Sequence, residues 1–253
     1  MKHIYAFEDV ITFENLRKDV KEIKAVLDDY QKIMEQHYEL KEVPRACIWT
    51  TEELATTFFS SVPIPAFTNK DVIYMSPDVA SWQELFVKQL DNKDLPDIRR
   101  YYEGLSIIHI ATIAAHELTH HSDLFLDEFE DDYADSIWFE EGMCEYLPRK
   151  HLLSSQAFAK CTEVESKLVS VFQSQYGGRS LNDFGAGSYT ESLSSIMFEY
   201  WRSFLTVKHL VEVKYNGDVH AVFQAYHTWH RNGKQEPLTA FFDVEDILEG
   251  SNL

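Results

Sequence analysis

Residues 105–121 read Leu-Ser-Ile-Ile-His-Ile-Ala-Thr-Ile-Ala-Ala-His-Glu-Leu-Thr-His-His, hold neither Gly nor Pro, and are apolar on nearly every side until His116. A helix that is apolar all round is a buried central helix, so the rest of the chain must be arranged around this segment. Its last turn is different: His116-Glu117-Leu118-Thr119-His120 brings three ionisable groups to the end of a buried helix. Burying them costs free energy unless they are hydrogen-bonded, paired or bound to a metal. A helical turn puts positions 116 and 120 about 40° apart on one face. Two imidazole nitrogens can then bind one Zn²⁺. Glu117, on a neighbouring line, can hold a water beside the ion without being a ligand. The competing reading is a pair of satisfied core histidines, and the next motif weighs against it.

That motif is Trp138-Phe139-Glu140-Glu141-Gly142-Met143-Cys144-Glu145-Tyr146. Catalytic zinc commonly has three protein ligands, and the third can be a carboxylate from a second helix. Glu141 follows His120 by enough residues for a loop and a returning helix, with Glu140 the alternative if the register differs by one. Glu145, one turn beyond Glu141, is placed to accept the outward N–H of a ligand histidine, as carboxylates behind metal ligands do. Cys144 lies between the two glutamates, but no Cys-x-x-Cys supports thiol ligation, and a small buried cysteine is the commoner case.

His-Glu-x-x-His followed by Trp-x-x-Glu-Gly-x-x-Glu-Tyr resembles the gluzincin zinc metallopeptidases, especially the compact peptidase MA-like domains with a thermolysin-like catalytic fold. The resemblance implies that Glu141 is the third zinc ligand and Glu117 the general base. It extends less sharply over residues 45–230. Arg45–Thr50 and Asp71–Ser76 read as strands, and in the family a strand like the second borders the substrate cleft and can pair with an extended peptide. Gly185-Ala-Gly-Ser-Tyr189 before a helical run is similar to the family's tyrosine-led helix, which implies that Tyr189 hydrogen-bonds the oxyanion. The amine-reading Gly-x-Met-Glu-Asn segment of related aminopeptidases is absent, so the expectation is an endopeptidase.

With 45% hydrophobic residues, 17 Phe and 13 Tyr in 253 residues, the chain can bury a large core. A formal charge of −19 argues against a nucleic-acid partner. No apolar run reaches membrane-spanning length, the N-terminus shows no export-type apolar stretch, and three cysteines at unrelated spacings do not form a disulfide framework. Together these lead us to expect a cytoplasmic protein. Asp127–Asp135 is strongly acidic and reads as a solvated loop. It lacks the glycine that an EF-hand calcium loop needs.

The periodicity predicts an amphipathic helix over 13–38 with Thr12 as N-cap, helices over 51–59 and 82–90, a turn over 94–97, and helices around 155–175, 188–212, 217–230 and 238–248. Pro63 and Pro65 mark a loop. His121 is expected to face solvent or the acidic loop, His109 to be a core or supporting group, and His227 and His230 to be structural. The expected fold is α+β and zincin-like: a small mixed sheet with helices in residues 1–125, a mostly helical lobe in 126–253, and zinc at their junction. The expected function is hydrolysis of peptide or protein substrates by a zinc-dependent peptidase. The alternative is a catalytically silent metal-binding protein that uses a peptidase-like fold for partner binding or regulation. A carboxylate-bridged di-iron protein normally has Glu-x-x-His twice, and Glu117-x-x-His120 is the one instance here.

Overall fold

The computed structural model describes residues 1–127, 136–245 and 247. The fold is α+β, and the chain divides into two compact units: Met1–Asp123 with Leu147–Ser154, and Leu124–Tyr146 with Ser155–Leu253.

The first unit holds a four-stranded sheet in the order β1-β2-β4-β3. Strands β1 (Lys2–Ala6), β2 (Ala46–Thr50) and β4 (Val72–Met75) run parallel, and β3 (Ala66–Thr68) pairs antiparallel with β4. Two strands of this sheet have almost no sequence signal. Strand β1 lacks clean alternation, and β3 is three residues long and directly follows the prolines that mark a loop. Strand β4, expected to be open to an extended peptide, already has β2 on one side and β3 on the other. The outer strand next to it is β3.

Helix α1 (Val10–His37) begins three residues earlier than its periodicity suggests. Its N-cap is Asp9, not Thr12: one Asp9 oxygen accepts from the N–H groups of Ile11 and Thr12 at 2.7 and 2.9 Å, and the other accepts from the Thr12 hydroxyl. One carboxylate oxygen thus satisfies two orphan helix donors, and the other ties the Thr12 hydroxyl into the same cap. Those bonds, the Thr12 N–H foremost, hold the Asp9 carboxyl below its ordinary range. Val20, Ile23, Leu27, Tyr30 and Met34 form the buried stripe of α1, which packs on helix α5 (Ile107–Thr119). Helix α5 also meets β3, β4 and α3 (Val79–Lys88). It is therefore apolar all round because it is covered from several directions. Between Thr51 and Phe59 the chain makes a short helix α2 (Glu52–Leu54) that widens into a π-type turn. The expected turn at 94–97 is instead the start of α4 (Pro96–Glu103), with Pro96 in its first turn, where a missing N–H costs nothing.

The second unit is helical: most of α6 (Ile137–Leu152), then α7 (Ser155–Tyr176), α8 (Leu193–His209), α9 (Val219–Arg231) and the short α10 (Leu238–Phe241). Phe139 on α6 stacks on Tyr226 at 4.7 Å and on Phe242 at 5.8 Å between ring centroids, so α6 is locked by aromatic faces. Helix α8 starts at Leu193 behind the Ser192 cap, not at 188, and continues into a π-type turn over Leu210–Lys214. The helix expected over 238–248 stops at Phe241, and Asp243 adopts φ 50°. Of the acidic run, Asp127 is described and residues 128–135 lie outside the described residues. The Asp127 carboxylate accepts from Ser136 Oγ, Lys234 Nζ and Tyr226 Oη at 2.6, 2.7 and 3.2 Å. No helix among the described residues is long and apolar enough to cross a membrane.

Gly142 sets how closely α6 approaches α8. A methyl group there would lie 2.5 Å from both the Ser203 carbonyl oxygen and Val207 Cγ2. Backbone cannot retreat as a side chain can, so Gly142→Ala is expected to destabilise the fold by about 1–3 kcal/mol through overpacking. Urea denaturation read by circular dichroism checks this, and an unchanged midpoint would refute it.

Helix α8 also buries Glu199, whose carboxylate accepts from Arg202 at 3.1 Å. Burial raises the Glu199 carboxyl from 4.5 to about 7, outweighing the neighbouring guanidinium groups of Arg202 and Arg179. The folded state thus holds this proton more tightly than the unfolded chain does. Its contribution is most favourable below the ordinary glutamate range and is lost as pH rises towards 7. Wild type is expected to lose stability relative to Glu199→Gln between about pH 4.5 and 7. Parallel melts of the two proteins across that range test it, and a constant difference would refute it.

Candidate metal centre

Helix α5 carries His116 and Glu117 in its last turn, and both are buried. Helical hydrogen bonding ends at Thr119, and His120 is the C-cap at φ −55°, ψ −23°, so its backbone keeps the helical course for one more residue. The two imidazoles therefore remain side by side, with ring centroids 4.9 Å apart and Nε2 to Nε2 3.1 Å. Adjacent donors of a tetrahedral zinc site with bonds of about 2.0–2.1 Å are about 3.3 Å apart, so this spacing suits one shared ion.

The end of α5 is fastened from α1. Thr119 Oγ1 donates to the Ala115 carbonyl at 2.7 Å and accepts from the Tyr30 phenol at 2.9 Å. Ser122 Oγ donates to the Tyr38 carbonyl. The N-terminal end is closed by His109, whose Nδ1 accepts from the Ser106 N–H at 3.2 Å. This makes His109 a helix cap, with burial lowering its basicity. His121 departs from the helical wheel because α5 has already ended. It does not face solvent but puts Nε2 2.7 Å from Thr68 Oγ1 on β3, and burial, aided by His120, pulls its pKa down to about 3. Glu117 lies close enough to the buried Cys47 on β2 for its charge to add to the upward push that burial gives the thiol.

On α6, Glu140 and Glu141 are buried and Glu145 is half-buried one turn further on. They diverge by the 100° step of a helix. Burial, then the Asp127 charge, push the Tyr226 phenol up with a smaller contribution from Glu140, while Glu141 meets two other phenols. Tyr189 Oη donates to Glu141 Oε1 at 2.8 Å, and Tyr200 Oη donates to the same oxygen at 3.2 Å. Tyr189 sits in a 3₁₀ turn (Ala186–Thr190) ahead of α8, not at the helix start, and its hydroxyl is directed at Glu141. Nothing in the sequence marks Tyr200, because its spacing from Glu141 follows no local period. Cys144 is fully buried. His227 donates from Nε2 to the Leu124 carbonyl at 2.7 Å, and His230 lies 3.3 Å from Asp127, so both hold structure.

Among the described residues, His116, His120 and Glu141 form a group of potential metal ligands, with one donor atom from each lying within 4.8 Å of the others. Two imidazole nitrogens and one carboxylate oxygen are a donor set that suits zinc and leaves a fourth tetrahedral position for a small molecule. The chemistry such a set supports is metal-assisted hydrolysis, with Glu117 as the adjacent base. Comparisons with protein families, with curated proteins and with solved structures returned no match for this chain.

Proposed function

We propose that this chain is a zinc-dependent metallopeptidase of the gluzincin type, with a zincin-like arrangement of sheet and helix, acting on peptide or protein substrates as an endopeptidase. The observation that carries the reading is the convergence of donor atoms from His116, His120 and Glu141, with Glu117 next to His116 in a buried helix. A short antiparallel outer strand, the packing of that strand on the helix bearing His-Glu-x-x-His, and a glutamate donor on a later helix support this arrangement. Three cysteines buried as thiols fit a reducing compartment, which favours the cytoplasm.

When bound, zinc would act as a Lewis acid that makes water nucleophilic near neutral pH. The chain's own residues do the rest. His116, His120 and Glu141 would hold the ion. The Glu117 carboxylate accepts the proton of the attacking water as the C–O bond forms, then returns it to the amine nitrogen as the C–N bond breaks. Its burial keeps bulk water from competing for that proton.

Metal analysis of the purified protein together with digestion of a peptide library tests the proposal. One equivalent of zinc and new peptide termini inside the library sequences are expected. Absence of bound metal after zinc loading, or an undigested library with zinc bound, would reject it.

A further inference from the structure

We infer that Tyr200 and Tyr189 form a shared clamp that presets the Glu141 carboxylate for the ion, an inference that rests on the metal reading above. A close helix–helix approach and a short turn bring the three side chains together. Gly142 lets α6 close onto α8 at Ser203 and Val207. Positions 200, 203 and 207 share one face of a helix. The residue that precedes Gly142 therefore meets the phenol one turn before Ser203.

Tyr189 arrives from the other direction, on the 3₁₀ turn between α7 and α8. That turn is pinned on its far side, where Glu191 accepts from Arg179 Nη1 and from Ser195 Oγ. Phe184, fully buried, packs against both phenol rings at 6.0 and 5.3 Å, and the two phenols meet at 6.4 Å between centroids. Three rings in mutual contact fix where both hydroxyls point.

The proton count makes this a clamp rather than two separate hydrogen bonds. The two hydroxyls lie 2.9 Å apart, and each also lies within bonding distance of Glu141 Oε1. Three contacts share two protons. Either phenol can thus donate to the carboxylate while the other donates to it or to its neighbour, so one can cover for the other. A carboxylate that ligates a metal is oriented by such donors, and losing them typically weakens metal binding about 10–100-fold. In these roles Tyr200 and Tyr189 are positioning residues, and their effect passes through Glu141.

The test uses full-length wild type, Tyr189→Phe, Tyr200→Phe and the double variant, each stripped of metal. Zinc affinity is measured by competition with a chromophoric chelator, and the ligand field by the visible absorption of the Co²⁺ form. The double variant is expected to bind zinc about 10–100-fold more weakly. Each single variant should lose a measurable part of its affinity, up to about threefold, with a smaller but detectable change in the Co²⁺ spectrum, because its partner still donates. The Co²⁺ spectrum should change most in the double variant, while the metal-free melting temperatures remain alike.

Wild type that binds no zinc overturns the metal reading and this inference with it. Wild type that binds zinc, with a double variant of equal affinity and spectrum, overturns the clamp alone. Tyr189→Phe that keeps full zinc affinity and the wild-type Co²⁺ spectrum but loses hydrolysis would assign that phenol to the substrate, and would also overturn it. If the double variant does not fold, the single variants decide: an unchanged Co²⁺ spectrum in both refutes the clamp.

Discussion

Glu117→Gln is expected to bind one equivalent of zinc as wild type does while losing about 10²–10⁴-fold in peptide hydrolysis, the range associated with removing a positioned general base. Glutamine keeps the shape of the side chain in its buried site but has no carboxylate to take a proton. The roles separate because Glu117 is not among the converging donors, which are His116, His120 and Glu141. Zinc content by elemental analysis and initial rates on a cleaved library peptide provide the two readouts. A variant that hydrolyses undiminished would remove the base from the mechanism, and one that loses zinc would make Glu117 a ligand instead.

The second large effect is on stability. A metal that binds the folded chain and not the unfolded one stabilises it by about 4 kcal/mol when supplied at about a thousand times its dissociation constant. For a chain of this size that corresponds to a rise of about 8–16 °C in melting temperature over the chelated form. His120→Ala and Glu141→Ala should each abolish most of the rise, since each removes one of three donors. Scanning fluorimetry with and without zinc after dialysis against a chelator measures it. Equal melting temperatures in the two conditions would show that no ion is held, and a zinc-dependent rise retained in both variants would place the ion elsewhere.

What the sequence made legible follows from the range over which each signal acts. The histidine pair is set by the period of a single helix, so positions 116 and 120 could be paired from spacing alone. Glu141 was legible through the resemblance carried by residues 138–146, and the glycine that follows it lies where a methyl group would meet Ser203 and Val207. Tyr200 was illegible: its meeting with Glu141 depends on how α6 and α8 cross, which no local period encodes. Tyr189 was singled out, but as the leader of a helix. Ser192 starts that helix three residues later, which leaves Tyr189 in a turn that directs it at Glu141.

The errors in the fold have the same origin. Strand β3 has three residues and exists because β4 pairs with it. The α1 boundary moved because one Asp9 oxygen accepts from the N–H groups of both Ile11 and Thr12, while the other accepts from the Thr12 hydroxyl itself. His121 was placed by extending a helical wheel past the residue at which the helix stops. In each case a tertiary contact or a competing cap decided what local periodicity could not.

The position of α5's last turn has a kinetic consequence. His116 belongs to a continuous backbone ladder, whereas His120 stands on the first residue past it, steadied by a single αR turn. Of the two imidazoles, the second depends for its place on the bonds that Thr119 and Ser122 make to Tyr30 and Tyr38 and not on the helix ladder alone, so exchange of a bound ion should begin there. Ion release should then speed up when the turn after Thr119 is loosened, for example at Ser122, and stay nearly constant when the middle of the helix is changed.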